Sequence, residues 1–313
     1  MDKQTRKKIS VVLPAHNEEN NLSGIVKEIS SLLGNTYDME IIIVDDGSTD
    51  GTEMVINNLC TVDSRLKGIV LYRNYGHQNA LIVGISKATG DVVITMDSDY
   101  QHPPSYIPKM IESWESGSDL VAGKKVSDKS SRLSTKVFRY LGYKAYSFLK
   151  DSSVSPGVSD FRLMDKSIAD VVKVSGERRL ILRSFVYKYA KNPTFVEYDV
   201  GERKSGKSSY SWVRLYNLSV SNVISSSLMP LRLTFVLGLF AIVLSVLMIG
   251  FVIISKFFLG NSIIQGWATT TILLSFFFGL NFLCLGILAE YVGVIVDEVK
   301  DRPRYTVKRE INF

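Results

Sequence analysis

Five short apolar runs punctuate the first 125 residues: ISVVLP (9–14), EIIIVDD (40–46), GIVLYRN (68–74), VVITMDSD (92–99) and DLVAG (119–123). Rich in β-branched residues and bounded by turn-forming ones, they have the pattern of strands buried on both faces. Between them lie NNLSGIVKEISSLL, GTEMVINNLC, HQNALIVGISKA and PSYIPKMIESWES, whose apolar residues recur at helical spacing. The alternation predicts a parallel β-α-β sheet with helices on both faces. Ligands of such sheets bind outside the carboxyl ends of the strands. Polar clusters follow three of the runs, HNE at 16–18, DDGSTDGT at 45–52 and DSD at 97–99, and are expected to converge on one cleft.

The pattern changes toward the C-terminus. Residues 233–255 form an uncharged apolar run, and residues 257–289 carry no charge at all. About 20 helical residues span a bilayer core of roughly 30 Å, so each run can cross once, the second from about Ala268 to Ala289. Two transmembrane helices are therefore expected within 231–297. The connection LGNSIIQGW (259–267) has no Lys or Arg, whereas Arg214, Arg232, Lys300, Arg302, Arg304, Lys308 and Arg309 flank the pair. By the positive-inside rule both termini lie in the cytoplasm of a multi-pass protein of the cell membrane. The basic start MDKQTRKK leads into a strand-like run rather than a long apolar region, so no secretory signal is read there.

Two further segments fit a membrane surface. In SRLSTKVFRYLGYKAYSFLK (131–150) an apolar stripe (Leu133, Val137, Leu141, Ala145, Leu149) faces a basic one (Arg132, Lys136, Arg139, Lys144, Lys150) without any acid. That is the composition of an interfacial helix. Residues 211–230 form a second, juxtamembrane segment. The expected organisation is a catalytic domain over 1–210 that includes the 131–150 helix, the 211–230 segment, two membrane helices over 231–297 and a cytoplasmic tail over 298–313. The net charge of +6 fits an anionic membrane face, and no nucleic-acid motif accompanies it. Cys60 and Cys284 fall in different regions and have no metal-type spacing. Gly238, Gly250, Gly279 and Gly286 would permit close helix packing, and with it a homo-oligomer.

Asp97 and Asp99 at a strand end offer hard oxygen ligands for Mg²⁺ or Mn²⁺, to which Gln101 can add a carbonyl oxygen. A cation there would neutralise a departing diphosphate. Alone, Asp-x-Asp more often caps a turn, here the one before Pro103. Its companions change the balance: Pro14, Ala15, Asn17 and Glu18 end the first strand, and Asp45 and Asp46 end the second before a Ser/Thr/Gly turn. Acids at successive strand ends can accept hydrogen bonds from a base N–H and from ribose hydroxyls. His77 and His102 have no partner at metal-ligand spacing and read as hydrogen-bonded loop residues. Glu290 and Tyr291 read as a polar anchor at the end of the second membrane helix.

Through LPAHNE, VDDGSTDGT and DSDYQHPP, in this order and spacing, the chain resembles the inverting family 2 glycosyltransferases of the GT-A fold. RNYGHQNALIVGI, SDFRLMD, GERKSGKSSYS and the closing AEYVGVIVDEVKDRPRYTV are similar to its polyprenyl-phosphate glycosyltransferases, the bactoprenol glucosyltransferases and the undecaprenyl-phosphate aminoarabinose transferase. The resemblance covers essentially the whole chain. It implies an α/β, Rossmann-like GT-A domain with nucleotide-sugar contacts at Pro14, Ala15, Asn17, Glu18, Asp46, Asp97 and Ser98. It further implies a metal shell of Asp97, Asp99 and Gln101, catalytic residues Asp160, Asp99 and Arg203, and acceptor-phosphate contacts at Arg132, Arg203 and Lys207. The subgroup usually has Lys after the Gly-x-Ser of this last loop. Here Ser209 follows Gly206-Lys207-Ser208, so Lys207 would supply the charge from two residues earlier.

The implied reaction is inverting transfer of a sugar from a nucleotide sugar, with UDP-glucose expected ahead of UDP-N-acetylglucosamine or another donor, to undecaprenyl phosphate for cell-envelope glycan modification. A phosphate monoester is largely dianionic at pH 7 and hardly needs a general base, so Asp160 is expected to orient acceptor or sugar, or to assist the metal, more than to abstract a proton. A processive polysaccharide synthase would need more membrane helices and a Gln-x-x-Arg-Trp motif, neither of which is found. A nucleotidyltransferase would open with a Gly-rich loop. A non-enzymatic nucleotide-sugar-binding scaffold would have no reason to keep acids at three strand ends.

Overall fold

The computed structural model describes residues 6–34, 36–125, 157–177, 180–199, 229–258, 266–300 and 302–313. The chain divides into two compact units, Met1–Arg132 with Ser153–Tyr210 and Arg302–Phe313, and Leu133–Ser152 with Ser211–Asp301.

The first unit is built on an eight-stranded sheet. Its strands are β1 (Lys8–Ala15), β2 (Asp38–Asp45), β3 (Leu66–Leu71), β4 (Val92–Thr95), β5 (Leu120–Lys125), β6 (Val158–Asp165), β7 (Pro193–Tyr198) and β8 (Val307–Ile311), in the order β7-β5-β6-β4-β1-β2-β3-β8. The helices are α1 (Leu22–Leu33), α2 (Thr52–Val62), α3 (His77–Lys87), α4 (Ile107–Glu115), α5 (Lys166–Val174) and α6 (Leu182–Tyr189). The period-two rule for strands is visible directly in the packing. Ile9, Val11 and Leu13 of β1 join a core with α1, α2 and α4, while Val12 joins a second core with α3, α5 and α6. β2 divides likewise, Ile41 and Ile43 to one face and Ile42 and Val44 to the other.

All five expected strands form, but the sheet is mixed rather than parallel. β3, β2, β1 and β4 pair in parallel. β5 does not lie next to β4: β6 comes between them, antiparallel to both. The run of β6, VSDFRLMD, carries Ser159, Asp160 and Arg162 among its apolar residues, so hydropathy hides it. At the other edge β8 runs antiparallel to β3. The segment read as a tail over 298–313 thus ends in a strand of the catalytic sheet. Its sequence VKREI presents only Val307 and Ile311 to the cores, too little apolar content to announce a strand.

The second unit contains α7 (Met229–Phe258) and α8 (Trp267–Val299). Both expected apolar runs are helical where described. Within α8, Phe276–Val299 is long and apolar enough to cross a membrane; in α7 the apolar stretch Leu231–Leu244 is shorter than such a span. The interfacial helix expected at 131–150 and most of the 211–230 segment lie outside the described residues.

Because β1 has β2 on one side and β4 on the other, the strand order reverses between β1 and β4. A crevice at the strands' carboxyl ends belongs at such a point.

Candidate active site

Three loops meet there. After β1, Asn17 adopts a left-handed backbone (φ 60°), which asparagine tolerates better than most residues. Its backbone N–H donates to Ser48 Oγ at 2.9 Å, and its side-chain oxygen accepts from the Thr49 N–H at 2.8 Å. The β1 and β2 loops are thereby fastened together. Asp45 accepts from the Ser48 N–H and hydroxyl. Burial nevertheless outweighs those bonds and pushes its pKa up. Buried Asp46 accepts backbone N–H bonds from Tyr75 at 2.7 Å and Gly76 at 2.9 Å, so it shapes the loop after β3. Gly47 (φ +63°) permits this approach, since a Cβ there would lie 2.3 Å from the Arg73 carbonyl carbon.

The loop after β4 carries the acidic pair Asp97 and Asp99. Ser98 is buried and donates to the Pro14 carbonyl at 2.9 Å, and Ala15 is buried beside it. Asp99 is buried and accepts from the Gln101 N–H at 3.0 Å. Tyr100 between them is left-handed (φ 66°), an uncommon backbone for a bulky residue. Its ring reaches α1 at Gly24, where a Cβ would come within 2.3 Å of its hydroxyl. His102 is buried, stacks on Phe161 and accepts the Asp97 N–H at Nδ1, 2.9 Å away. Nδ1 is therefore unprotonated, in accord with a pKa held down to about 3 by burial and the nearby cation Lys125, against the pull of Asp160. His102 is the hydrogen-bonded loop residue the sequence suggests, and it braces Asp97.

Asp160 on β6 comes to the same place. Thr95 at the end of β4 donates to its carbonyl at 2.7 Å. The Asp160 carboxylate pairs with Arg162 through Oδ1, and its Oδ2 accepts from Gln78 Nε2 at 3.2 Å and Arg183 Nη2 at 3.3 Å. Burial would raise its pKa, but Arg162, then Arg183, outweigh that and hold it below the usual range. Between the two acidic positions stands His77, with Nε2 3.4 Å from Asp97 Oδ1 and 3.8 Å from Asp160 Oδ2. His77, Gln78 and Arg183 open helices α3 and α6 and were not picked out as site residues. The available signal was a fourth polar strand end, NYGHQ after β3.

Asp97 is the electrostatically incomplete member. Its Oδ1 is buried without a hydrogen-bond partner among the described residues. Burial raises its pKa to about 6, with His77 opposing and the Asp160 and Asp99 carboxylates adding to the rise. An orphaned carboxylate oxygen among three acids fits a hard divalent cation, which Asp97 and Asp99 could hold. Among the described residues no group of three His, Cys, Asp or Glu side chains forms a complete protein cage, so such an ion would need further oxygens. Arg132, Arg203 and Lys207 lie outside the described residues.

The glycosyl transferase family 2 profile matches residues 10–172. The bactoprenol glucosyl transferase of Shigella phage SfX is 35% identical over 306 residues, covering 96% of this chain and 99% of that protein. The prophage bactoprenol glucosyl transferase homolog of Escherichia coli K12 is 33% identical over 307 residues, at 96% and 99% coverage. Among solved structures, glucosyl-3-phosphoglycerate synthase from Mycobacterium tuberculosis with Mn²⁺, UDP-glucose and phosphoglyceric acid gives a TM-score of 0.47 at 22% identity, covering 70% of this chain and 78% of that one. With a profile spanning half its length and relatives matched nearly end to end, the chain belongs to glycosyl transferase family 2 and is a glycosyltransferase.

Proposed function

We propose that this glycosyltransferase moves glucose from UDP-glucose to the phosphate of undecaprenyl phosphate, with inversion, at the cytoplasmic face of the cell membrane. One observation carries the reading: similarity to the bactoprenol glucosyl transferases runs through 96% of the chain, long apolar helices included. UDP-N-acetylglucosamine is the alternative donor.

Asn17 and Glu18, with Pro14, Ala15, Asp46, Asp97 and Ser98, line the donor site. Asp97, Asp99 and Gln101 hold Mg²⁺ or Mn²⁺, which when bound stabilises charge on the departing diphosphate. The lipid phosphate oxygen forms the new bond to the anomeric carbon as the bond to UDP breaks. That phosphate needs little deprotonation. Asp160, tied to two guanidiniums and held acidic, is a poor base and serves to aim its partners. Arg132, Arg203 and Lys207 remain proposed phosphate contacts.

α7 and α8 anchor the enzyme as two membrane crossings. β1 and β8 share one sheet, which supports an even number of crossings between them, and the basic flanks around a 259–267 connection without Lys or Arg support a cytoplasmic side for both termini. The test is transfer by full-length protein in detergent, from a panel of radiolabelled nucleotide sugars to undecaprenyl phosphate with Mg²⁺ or Mn²⁺. The expected result is a chloroform-soluble labelled product from UDP-glucose, lost on chelation and in Asp99→Ala. No lipid product from any donor would refute the reading.

A further inference from the structure

We infer that Arg183 receives the acceptor's phosphate, and that Asp160 and Gln78 hold it in position for that task. The inference rests on the proposed polyprenyl-phosphate reaction and extends it to a residue outside the recognised motifs.

Asp160 meets two guanidiniums that differ in kind. Arg162 is sealed in the core, its side chain 1% exposed, and satisfies Oδ1. One guanidinium already balances one carboxylate. Arg183 is therefore a surplus cation, and its side chain is 41% exposed. It touches Asp160 through Nη2 only, so the rest of its N–H fork has no protein partner among the described residues.

Its placement is fixed at two points. Gln78 donates from Nε2 to Asp160 Oδ2 and accepts the Leu182 N–H at Oε1, 3.3 Å away. The two opposite roles fix the amide's orientation. The bond to Leu182 ties the start of α6, and hence the Arg183 backbone, to α3, while the bond to Asp160 ties the head group. A guanidinium anchored at one nitrogen with the rest of its fork open can take a phosphate, which it grips in a planar fork that an ammonium cannot reproduce.

The position also suits the chemistry. Arg183, Asp160, His77 and Asp97 form a continuous row with successive separations of 3.3, 3.8 and 3.4 Å. An anion on the open side of Arg183 would stand at one end of that row, with the carboxylates proposed for the metal and donor diphosphate at the other.

The experiment compares wild type with Arg183→Gln and Arg183→Lys in full-length protein, titrating undecaprenyl phosphate in the transfer assay and UDP-glucose in a direct binding assay. Loss of a charge-assisted, two-bond contact predicts a KM for the lipid raised ~10–100-fold in Arg183→Gln, and also raised in Arg183→Lys, which keeps the charge but not the fork. The Kd for UDP-glucose stays at the wild-type value in both, which also reports that the site is folded. An unchanged lipid KM, or a fall in donor affinity as large as that for the lipid, overturns the assignment. Absence of lipid product from wild type itself overturns the underlying reading instead, so the two failures are distinguishable.

Discussion

Asp160 and Arg162, two residues apart on β6, form an ion pair through Nη2 in which the guanidinium is fully buried and its Nε and Nη1 have no hydrogen-bond partner among the described residues. The carboxylate proposed to aim the reactants is thus also the main counter-charge of a cation in the core. On that proposal, stability and catalysis are joined at one side chain.

Asp160→Asn consequently strands a buried cation, a change that costs about 3–5 kcal/mol. Denaturant unfolding should show this loss, and Asp160→Asn combined with Arg162→Met should recover most of it by removing the stranded charge. The double variant should still show a raised KM for the lipid, because Arg183 has lost its charged anchor. Recovery of activity together with stability would mean that Asp160 acts only as a core counter-ion.

His102 supports Asp97 by accepting its backbone N–H from below. His102→Phe keeps an aromatic ring against Phe161 but leaves that N–H unsatisfied, at a cost of about 1–3 kcal/mol. With Asp97 displaced, the metal concentration for half-maximal transfer should rise severalfold. His102→Asn, which restores an acceptor, should bring it part of the way back. A metal titration of the two variants checks the point, since a purely packing role for the ring would favour Phe over Asn.

The contrast between β6 and the five expected strands shows what the sequence could and could not reveal. β1 to β4 were legible because each carries a short apolar run, such as Val11–Leu13 and Ile41–Val44, buried on both faces. β6 was hidden by the same Asp160 and Arg162 that matter to the site: their mutual neutralisation is a tertiary fact, invisible to hydropathy. The motif acids Asp97, Asp99 and Asp160 could be named in advance. Gln78 and Arg183 were not, and His77 was read only as a loop residue, because their contacts come from helix starts that a mixed strand order brings beside β4 and β6. The order itself was unreadable, for alternation of strands and helices does not say that β6 inserts between β4 and β5.

Away from the site, Glu40 is buried on β2. Burial alone would raise its pKa, but bonds from Ser10, Lys67 and Thr89 outweigh it and lower the pKa from 4.5 to about 2. A carboxylate more acidic in the folded than in the unfolded state stabilises the fold above its unfolded pKa and loses that contribution as pH falls through the folded one. Its share, about 2–3 kcal/mol, should therefore be complete above roughly pH 5 and decline between pH 4.5 and 2. Glu40→Gln should lower stability at pH 7 and flatten that part of the pH profile. Parallel wild-type and variant profiles between pH 5 and 2 would rule this out.

The last strand makes the strongest claim about how the chain is put together. β8 covers the free edge of β3, and the Asn312 side chain donates to the carbonyls of Cys60 at 2.6 Å and Leu66 at 2.9 Å. The preceding residues contribute too, since the Tyr72 N–H donates to the Thr306 carbonyl at 3.1 Å. Tyr72 begins the loop that carries Tyr75 and Gly76 to Asp46 and His77 to Asp97. Deleting residues 306–313 should hence do more than expose a β edge to aggregation. It should loosen the β3–α3 loop and lower transfer by an order of magnitude or more, with β1, β2 and β4 still paired. Asn312→Ala, which removes two bonds but leaves the strand, should cost about 1–3 kcal/mol and retain most activity. Hydrogen exchange of the Tyr72, Tyr75 and Gly76 amides in the three proteins decides the matter. Faster exchange at all three in the deletion, with little change in Asn312→Ala, is the expected pattern; wild-type protection after deletion would reduce β8 to an edge cover.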